Sequence, residues 1–358
     1  MKRSIVELMR PNVAKMQGYK SARHDYQGSA QIFLDANENP FDWDNSRYPG
    51  PHHFRLKREL WKTLGWDMGK ISLGNGGDEL IDLLIRAFCE PGKDAIRVLN
   101  PSYSMYNVSA RLNDVEIILT DLDQQFELDP NLAFLDQPAG KITNEKIFFL
   151  TSPNNPSGNS IHPMILEEII ARYDGIVVVD EAYIDFSSRD SFYHHIDKYE
   201  NLVILRTFSK AFASADLRIG IALSGNLITN VLHKIKPPYN LSNLVMNEAI
   251  STLSKYEKIK TQIHLICADR DLIASQLSQL KCIEKVFPSD ANFLLVRTYD
   301  ADKMYRYLRE NGIITRNRNT QYQCDNCLRF TIGTPVENKK LIEVLTRYDE
   351  EFQETKSE

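Results

Sequence analysis

"VILRTFSKAFASADLRIG" (residues 203–220) begins as a buried strand and ends as a polar cluster. Val203, Ile204 and Leu205 form an apolar, β-branched run that suits a strand covered on both faces. The run stops at Arg206 and is followed by Thr207, Ser209, Lys210 and, eight residues on, Arg218. Two readings fit. One is a wet strand end with a surface lysine; the other is a covalent anchor with a phosphate held beside it. What the other strands carry at their ends decides between them.

Working outward, short apolar runs alternate with amphipathic segments from about residue 70 to 225. "DAIRVL" (94–99), "VEIILT" (115–120), "KIFFL" (146–150), "GIVVVD" (175–180), "LVILR" (202–206) and "RIGIAL" (218–223) read as strands. "DELIDLLIRAF" (78–88), "HPMILEEIIARY" (162–173) and a segment opening at "PSYSMYNVSA" (101–110) read as helices. That alternation predicts an α/β fold with a mostly parallel sheet covered by helices, and ligands beyond the carboxyl ends of its strands. After residue 225 the pattern turns helical over 243–280. "NFLLVR" (292–297), "GIITR" (312–316) and "LRFTIG" (328–333) then read as strands around a helix at 301–311. The expected division is an N-terminal arm (1–30) packing with a smaller C-terminal α+β domain (276–358), and a large domain over 31–275.

At 358 residues the chain has room for about two domains of ~150 residues each. Its 43 basic and 48 acidic residues leave a net charge of -5, which argues against a broad nucleic-acid or anionic-membrane surface. Basic residues that matter should therefore act locally, on a small anion. No apolar run reaches the ~18–20 residues of a membrane span, and "MKRSIVELMR" lacks the long apolar core of a signal peptide. Five cysteines in a chain of this length point to a reducing, cytoplasmic setting. Cys324 and Cys327 form one C-x-x-C without a second cluster, so no metal is expected.

The strand ends carry chemistry in order. "LGNGGDEL" (73–80) sets glycines before a helix start, either as a tight turn or as an anion cradle. Its spacing matches neither the dinucleotide fingerprint nor the Walker loop. Tyr103 and Tyr106 follow a turn and suit core packing or an aromatic plate. "SPNNPSGN" (152–159) holds Asn155 between prolines, as a plain turn or as an amide aimed into a cleft. Asp180 closes a run of three valines, where a buried carboxylate needs a cation or several donors, and Tyr183 follows three residues later. Together these match the needs of pyridoxal 5'-phosphate: a lysine, a carboxylate for the ring nitrogen, donors for the phenolic oxygen, a flat partner and a phosphate site.

With these residues assembled, the sequence resembles the class-II pyridoxal-phosphate-dependent aminotransferases of fold type I, and among them those acting on histidinol phosphate. The matching stretches are "GYKSAR" (18–23), "DANENP" (35–40), "RYPGP" (47–51), "GGDE" (76–79), "FCEPGKDAI" (88–96), "PSYSMYNVSA", "SPNNPSGN", "VVDEAYIDF" (178–186), "RTFSKAF" (206–212), "LRIG" (217–220) and "CLRFTIGT" (327–334). The resemblance implies a seven-stranded sheet, pyridoxal 5'-phosphate as cofactor, and a homodimer. It implies Lys210 as the covalent attachment point and general base, and Asp180 at the ring nitrogen. Asn155 and Tyr183 would serve the phenolic oxygen, with Tyr103 on the ring face. Gly77, Asp78, Ser209, Arg218 and Thr207 would hold the phosphate, with Tyr48 reaching it from the neighbouring subunit. Tyr19, Asn37, Asn292, Arg316 and Arg329 would bind the substrates, histidinol phosphate and 2-oxoglutarate or glutamate. Other aminotransferases, and a threonine-phosphate decarboxylase-like enzyme, share the implied cofactor residues and differ only in the substrate pocket. A non-catalytic ligand sensor on this scaffold is the remote alternative. Two positions depart from the family pattern: Asp35, where asparagine is more usual, and Asp216, where glycine is common and whose charge is expected to point outward.

Overall fold

The computed structural model describes residues 2–19, 32–41, 45–129, 131 and 144–357. Seven strands form one sheet: β1 (Ile71–Asn75), β2 (Ala95–Asn100), β3 (Glu116–Asp121), β4 (Glu145–Thr151), β5 (Ile176–Asp180), β6 (Leu202–Thr207) and β7 (Ile219–Ser224). Their order is β1-β7-β6-β5-β4-β2-β3. β3, β2, β4, β5 and β6 run parallel, while β7 is antiparallel to both β6 and β1. The expected α/β architecture is therefore present. Alternate residues of the central strands face opposite layers, as the two-residue period of a strand requires. Phe148, Leu150, Val177, Val179, Leu202 and Ile204 enter one apolar cluster; Ile147, Phe149, Ile176, Val178, Val203 and Leu205 enter the other. Both faces are covered, so these strands read as continuous apolar runs. β2 and β4 are also joined by a buried ion pair. Arg97 Nε and Nη2 donate to Glu145 Oε2 and Oε1 at 2.8 Å each, and the Tyr173 hydroxyl adds a third donor at 3.0 Å.

A second sheet holds β8 (Ile283–Val286), β9 (Phe293–Thr298), β10 (Arg316–Asn317) and β11 (Cys327–Thr331) in the order β10-β11-β9-β8, all antiparallel. Leu294, Val296, Leu328 and Phe330 pack with Met304, Leu308, Val344 and Leu345 of the helices Ala301–Glu310 and Pro335–Ser357. The strand expected over 312–316 shrinks to Arg316–Asn317. Gly312 (φ 78°) turns the chain out of the preceding helix, and Ile314 stays exposed instead of pairing. The helical stretch after 243 divides into Asn243–Leu253 and Tyr256–Leu277. The second helix crosses the expected boundary at 275/276. Its Ile259 and Ile263 belong to the main core, and its Ile273 and Leu277 to the smaller one.

The expected packing of residues 1–30 on the smaller domain is corrected for residues 2–19; residues 20–30 lie outside the described residues. Ile5, Leu8 and Val13 sit in the apolar cluster of the helices Gly76–Phe88 and Asn226–Ile235, in the large domain. Arg3 pairs with Asp174 at 3.0 Å, and the Arg10 N–H donates to the Ala87 carbonyl at 3.0 Å. The arm packs here because its three apolar residues cover helix flanks that would otherwise be wet.

Candidate active site

The carboxyl ends of β4, β5 and β6 meet the N-terminus of the helix Gly76–Phe88 at one cleft. Gly77, Asp78, Tyr103, Asn155, Asp180, Tyr183, Thr207, Ser209, Lys210 and Arg218 all line it. Each of these was singled out in the sequence as a cofactor residue, and the fold brings them together.

Asp180 ends β5 and is buried. The Tyr106 hydroxyl donates to its Oδ2 at 2.6 Å, and the Ala182 N–H donates to Oδ1 at 3.0 Å. Burial pushes its pKa up, and these two donors pull it part of the way back. Behind Tyr106 the polar chain continues through Thr151 (2.8 Å) to Ser102 (3.1 Å). Lys210 stands after the end of β6, open to the cleft. Desolvation by the cleft walls, then the positive charge of Arg329, lower its pKa from the usual lysine value. Its Nζ lies 5.6 Å from the centre of the Tyr183 ring. Tyr183 itself packs edge-on against Phe293 at 5.2 Å.

The helix start forms a cradle for an anion. Gly76 has φ 78°, and its N–H donates to the Arg218 carbonyl at 2.6 Å. A Cβ at Gly76 would lie 2.3 Å from Arg218 Nη2, and one at Gly220 would lie 2.3 Å from the Gly76 carbonyl carbon. Only glycine at both positions lets β7 and the helix start close on each other. Arg218, in the left-handed region at φ 51°, points Nη1 to Ser209 Oγ (3.4 Å) and Nη2 to Asp78 Oδ2 (3.3 Å). The Tyr103 hydroxyl donates to the other Asp78 oxygen at 2.9 Å. Thr207 is already engaged: its hydroxyl donates to the Ile219 carbonyl at 3.2 Å and accepts the Ser209 N–H at 3.1 Å. Asp216 is exposed and does not line the cleft.

On the far side, Asn155 is buried and its Oδ1 accepts from Arg329 Nη1. Arg329 also stacks on Phe293 at 4.9 Å, and Arg316 faces it across the β10–β11 pair. Asn292 lies just before β9, its carbonyl accepting the Ile332 N–H at 3.0 Å. Tyr19, Asn37 and Tyr48 are not on the cleft, nor do Asn292, Arg316 and Arg329 line it: Arg316 and Arg329 line a hollow of the smaller domain, and Arg329 meets the cleft through Asn155. Tyr19 is exposed; Asn37 and Tyr48 line a separate hollow, where Tyr48 stacks on Tyr239 at 4.7 Å. Two roles at the site escaped the sequence reading. Tyr106 reads as core or as an aromatic plate, and only its hydroxyl shows it as a donor to Asp180. Arg318, whose Nη2 reaches Asn155 Oδ1 at 3.4 Å, stands two residues from Arg316. That i, i+2 spacing on an extended segment was a usable signal. Among the described residues no cluster of His, Cys, Asp and Glu could hold a metal, and no helix is long and apolar enough to cross a membrane.

The donor set fits a flat, phosphorylated, basic-ring cofactor: an anion cradle, a buried carboxylate and a lysine line one cleft. Such a constellation on a mostly parallel sheet defines a group-transfer enzyme of the fold-type-I class. Crystal structures of histidinol-phosphate aminotransferases share this fold. The Clostridium acetobutylicum protein aligns with a TM-score of 0.78 at 24% identity, over 86% of this chain and 92% of that one. The Sinorhizobium meliloti protein, solved in complex with pyridoxal-5'-phosphate, aligns with a TM-score of 0.73 at 23% identity, over 85% and 84%. The chain belongs to the class I and II aminotransferase family, whose model matches residues 37–345. The histidinol-phosphate aminotransferase of Christiangramia forsetii is 45% identical over 350 residues, which is 97% of this chain and 99% of that protein. The one from Bacteroides fragilis strain YCH46 is 46% identical over the same span, with the same coverage.

Proposed function

We propose that the protein is a pyridoxal-phosphate-dependent aminotransferase exchanging an amino group between L-histidinol phosphate and 2-oxoglutarate, as a cytoplasmic homodimer in histidine biosynthesis. The observation that carries the chemistry is Asp180, a buried carboxylate held by two donors across a cleft from a lysine of lowered pKa. Near-full-length similarity to histidinol-phosphate aminotransferases at 45–46% identity supports the substrate.

When bound, the cofactor supplies an aldehyde for the lysine and a ring that withdraws charge from the substrate carbon. The protein does the rest. Asp180 would hold a proton on the ring nitrogen, and its buried setting would make that pairing strong. Asn155 and Tyr183 would donate to the phenolic oxygen, and Tyr103 would cover the ring face. Backbone N–H groups of Gly77 and Asp78, the helix N-terminus, Ser209 and Arg218 would bind the phosphate, with Thr207 bracing the turn. Lys210, its pKa lowered, would serve as the general base for the proton beside the substrate nitrogen. Arg316 and Arg329 grip the anionic end of either substrate in a fork geometry, with Asn292, Asn37 and Tyr19 around it. Tyr48 would complete the phosphate site of the partner subunit, which accounts for its exposure in a single chain.

The deciding experiment records the visible absorption of the purified holoenzyme before and after adding histidinol phosphate, without any oxo acid. Conversion of the lysine-bound cofactor band to that of the aminated cofactor is the expected result, and Lys210→Ala should abolish the starting band. A band that ignores histidinol phosphate but answers to another amino acid removes the substrate. No band in the presence of added cofactor removes the assignment of Lys210. Sedimentation of the same sample should give a dimer; a fully active monomer would exclude the shared Tyr48.

A further inference from the structure

The smaller sheet gathers three arginines, two of which reach the cleft residue Asn155. Arg316 lies on β10, Arg329 opposite it on β11, and Arg318 just beyond the end of β10. Arg318 is fixed at its backbone, where its N–H donates to the Cys327 carbonyl at 2.9 Å and its carbonyl accepts the Gln321 N–H at 2.9 Å. Its Nη2 and the Arg329 Nη1 converge on the same Asn155 oxygen. The Nε atoms of both arginines are buried with no hydrogen-bond partner. Among the described residues neither guanidinium has a carboxylate within ion-pair distance, and the neighbours that act most on Arg318 are Arg329, Arg316, Cys324 and Tyr183. Burial and the two neighbouring guanidinium groups push the pKa of Arg318 down to about 10. Buried donors are normally paired, so two unpaired guanidinium edges on one oxygen describe a seat built for an anion.

We propose that Arg318 is a specificity-determining residue that receives, together with Arg329, the doubly charged phosphate monoester of the substrate. This rests on the reading of the cleft as an aminotransferase site. One bidentate guanidinium satisfies a carboxylate. A phosphate monoester presents three acceptor oxygens and, at neutral pH, a charge of about −1.5 to −2, which leaves an acceptor for Arg318 beyond the Arg316 and Arg329 pair. A carboxylate of glutamate at the same place is satisfied by Arg316 and Arg329 without Arg318. Arg318 therefore separates the two half-reactions: it is required by the phosphorylated substrate and nearly idle with glutamate.

The test compares the wild-type holoenzyme with Arg318→Gln and Arg318→Lys. In Arg318→Gln the KM for histidinol phosphate should rise about ten- to a hundredfold, the loss of a charge-assisted hydrogen bond, while kcat and the glutamate KM stay close to wild type. The wild-type kcat/KM for histidinol phosphate should fall below the second phosphate pKa of about 6, and that limb should flatten in Arg318→Gln. Arg318→Lys, a charge without the fork, should recover part of the loss. Equal losses with both substrates, or an unchanged KM, overturn the assignment. If the wild-type enzyme is inert toward histidinol phosphate, the functional reading has failed, and Arg318 is then judged by calorimetric binding of inorganic phosphate to the holoenzyme. Binding about tenfold weaker in Arg318→Gln supports the seat; equal affinity overturns it.

Discussion

Asp180 can hold a cationic ring nitrogen only while it is ionised, and its surroundings pull in two directions. Burial favours the neutral acid, and the donors Tyr106 and Ala182 favour the carboxylate. The Ala182 donor is backbone and survives any substitution, so Tyr106 is the adjustable part of this balance. Tyr106 lies against Phe149 at 4.7 Å and is fully buried, so removing its hydroxyl alone leaves the packing intact. Tyr106→Phe should therefore act as a loss of positioning, not of folding. A hydrogen bond to a charged group contributes about 1.5–3 kcal/mol, and one pKa unit is about 1.4 kcal/mol. With glutamate, which carries no phosphate, the acid limb of kcat/KM should move to higher pH, because Asp180 would take its proton at a higher pH. The pH–rate profile of the variant checks this; an acid limb at the wild-type position would show that the hydroxyl does not tune Asp180. Tyr106 was legible as core or as an aromatic plate but not as a partner of Asp180, for a physical reason. A buried tyrosine reads as core from its ring, and only the structure shows where its hydroxyl ends.

At the scale of elements, the central strands were legible because burial on both faces leaves them nothing but apolar residues. β1 was not. Its "ISLGN" carries a serine and a glycine, and it becomes a strand by pairing with β7, a partner more than 140 residues away in sequence. β10 failed in the opposite sense, since an apolar "GIITR" has no neighbour to pair with before Arg316. The helix start at Gly76 was legible only as a choice between turn and cradle. The close approach of Gly220 and the left-handed φ of Gly76 settle its need for glycine. Gly76→Ala should cost about 1–3 kcal/mol, from a Cβ forced into the left-handed region and against the Arg218 guanidinium. Gly77→Ala is the control, because nothing lies within 4 Å of the added carbon and the N–H is retained. Urea unfolding should separate the two variants, and cofactor affinity should fall with Gly76→Ala as Arg218 is displaced. Equal midpoints would mean that the helix start yields freely.

At the scale of the molecule, the pattern of one chain shows which residues belong to a site but not which chain delivers them. The family resemblance implies Tyr48 as a phosphate ligand delivered by the neighbouring subunit, and within one chain it lies on a hollow away from the cleft. Charge balance is a second property that no motif reveals. His53, Lys57 and Lys236 are buried, and Lys57 Nζ lies 3.4 Å from His233 Nε2. His52, half-buried beside them, stands 6.3 Å from the His233 ring. Burial, reinforced by the surrounding positive charges, lowers His53 and His233 to about 3, and burial lowers Lys57 and Lys236 to about 8. Both histidines are therefore neutral in the fold and would bind protons on unfolding below their ordinary value of about 6.5. Between pH 6.5 and 3 the unfolded chain holds more protons, so stability falls as the pH falls. Above pH 8 the lysines lose protons in the fold before they do in the unfolded chain, so stability should rise toward pH 10.5. From pH 6.5 to 5 ordinary carboxylates stay ionised, but Glu181, which burial pushes up to about 7, takes up a proton in the fold first and offsets part of the loss. Over that range each histidine should contribute a loss of about 1–2 kcal/mol to the unfolding free energy. Urea midpoints at half-unit pH steps measure the change, and His53→Gln, which cannot take up a proton, should remove about 1–2 kcal/mol of the loss relative to wild type. A His53→Gln profile parallel to that of the wild type from pH 6.5 to 5 would mean that the cluster accepts protons without unfolding, and that its positive charges have a counter-ion in solution.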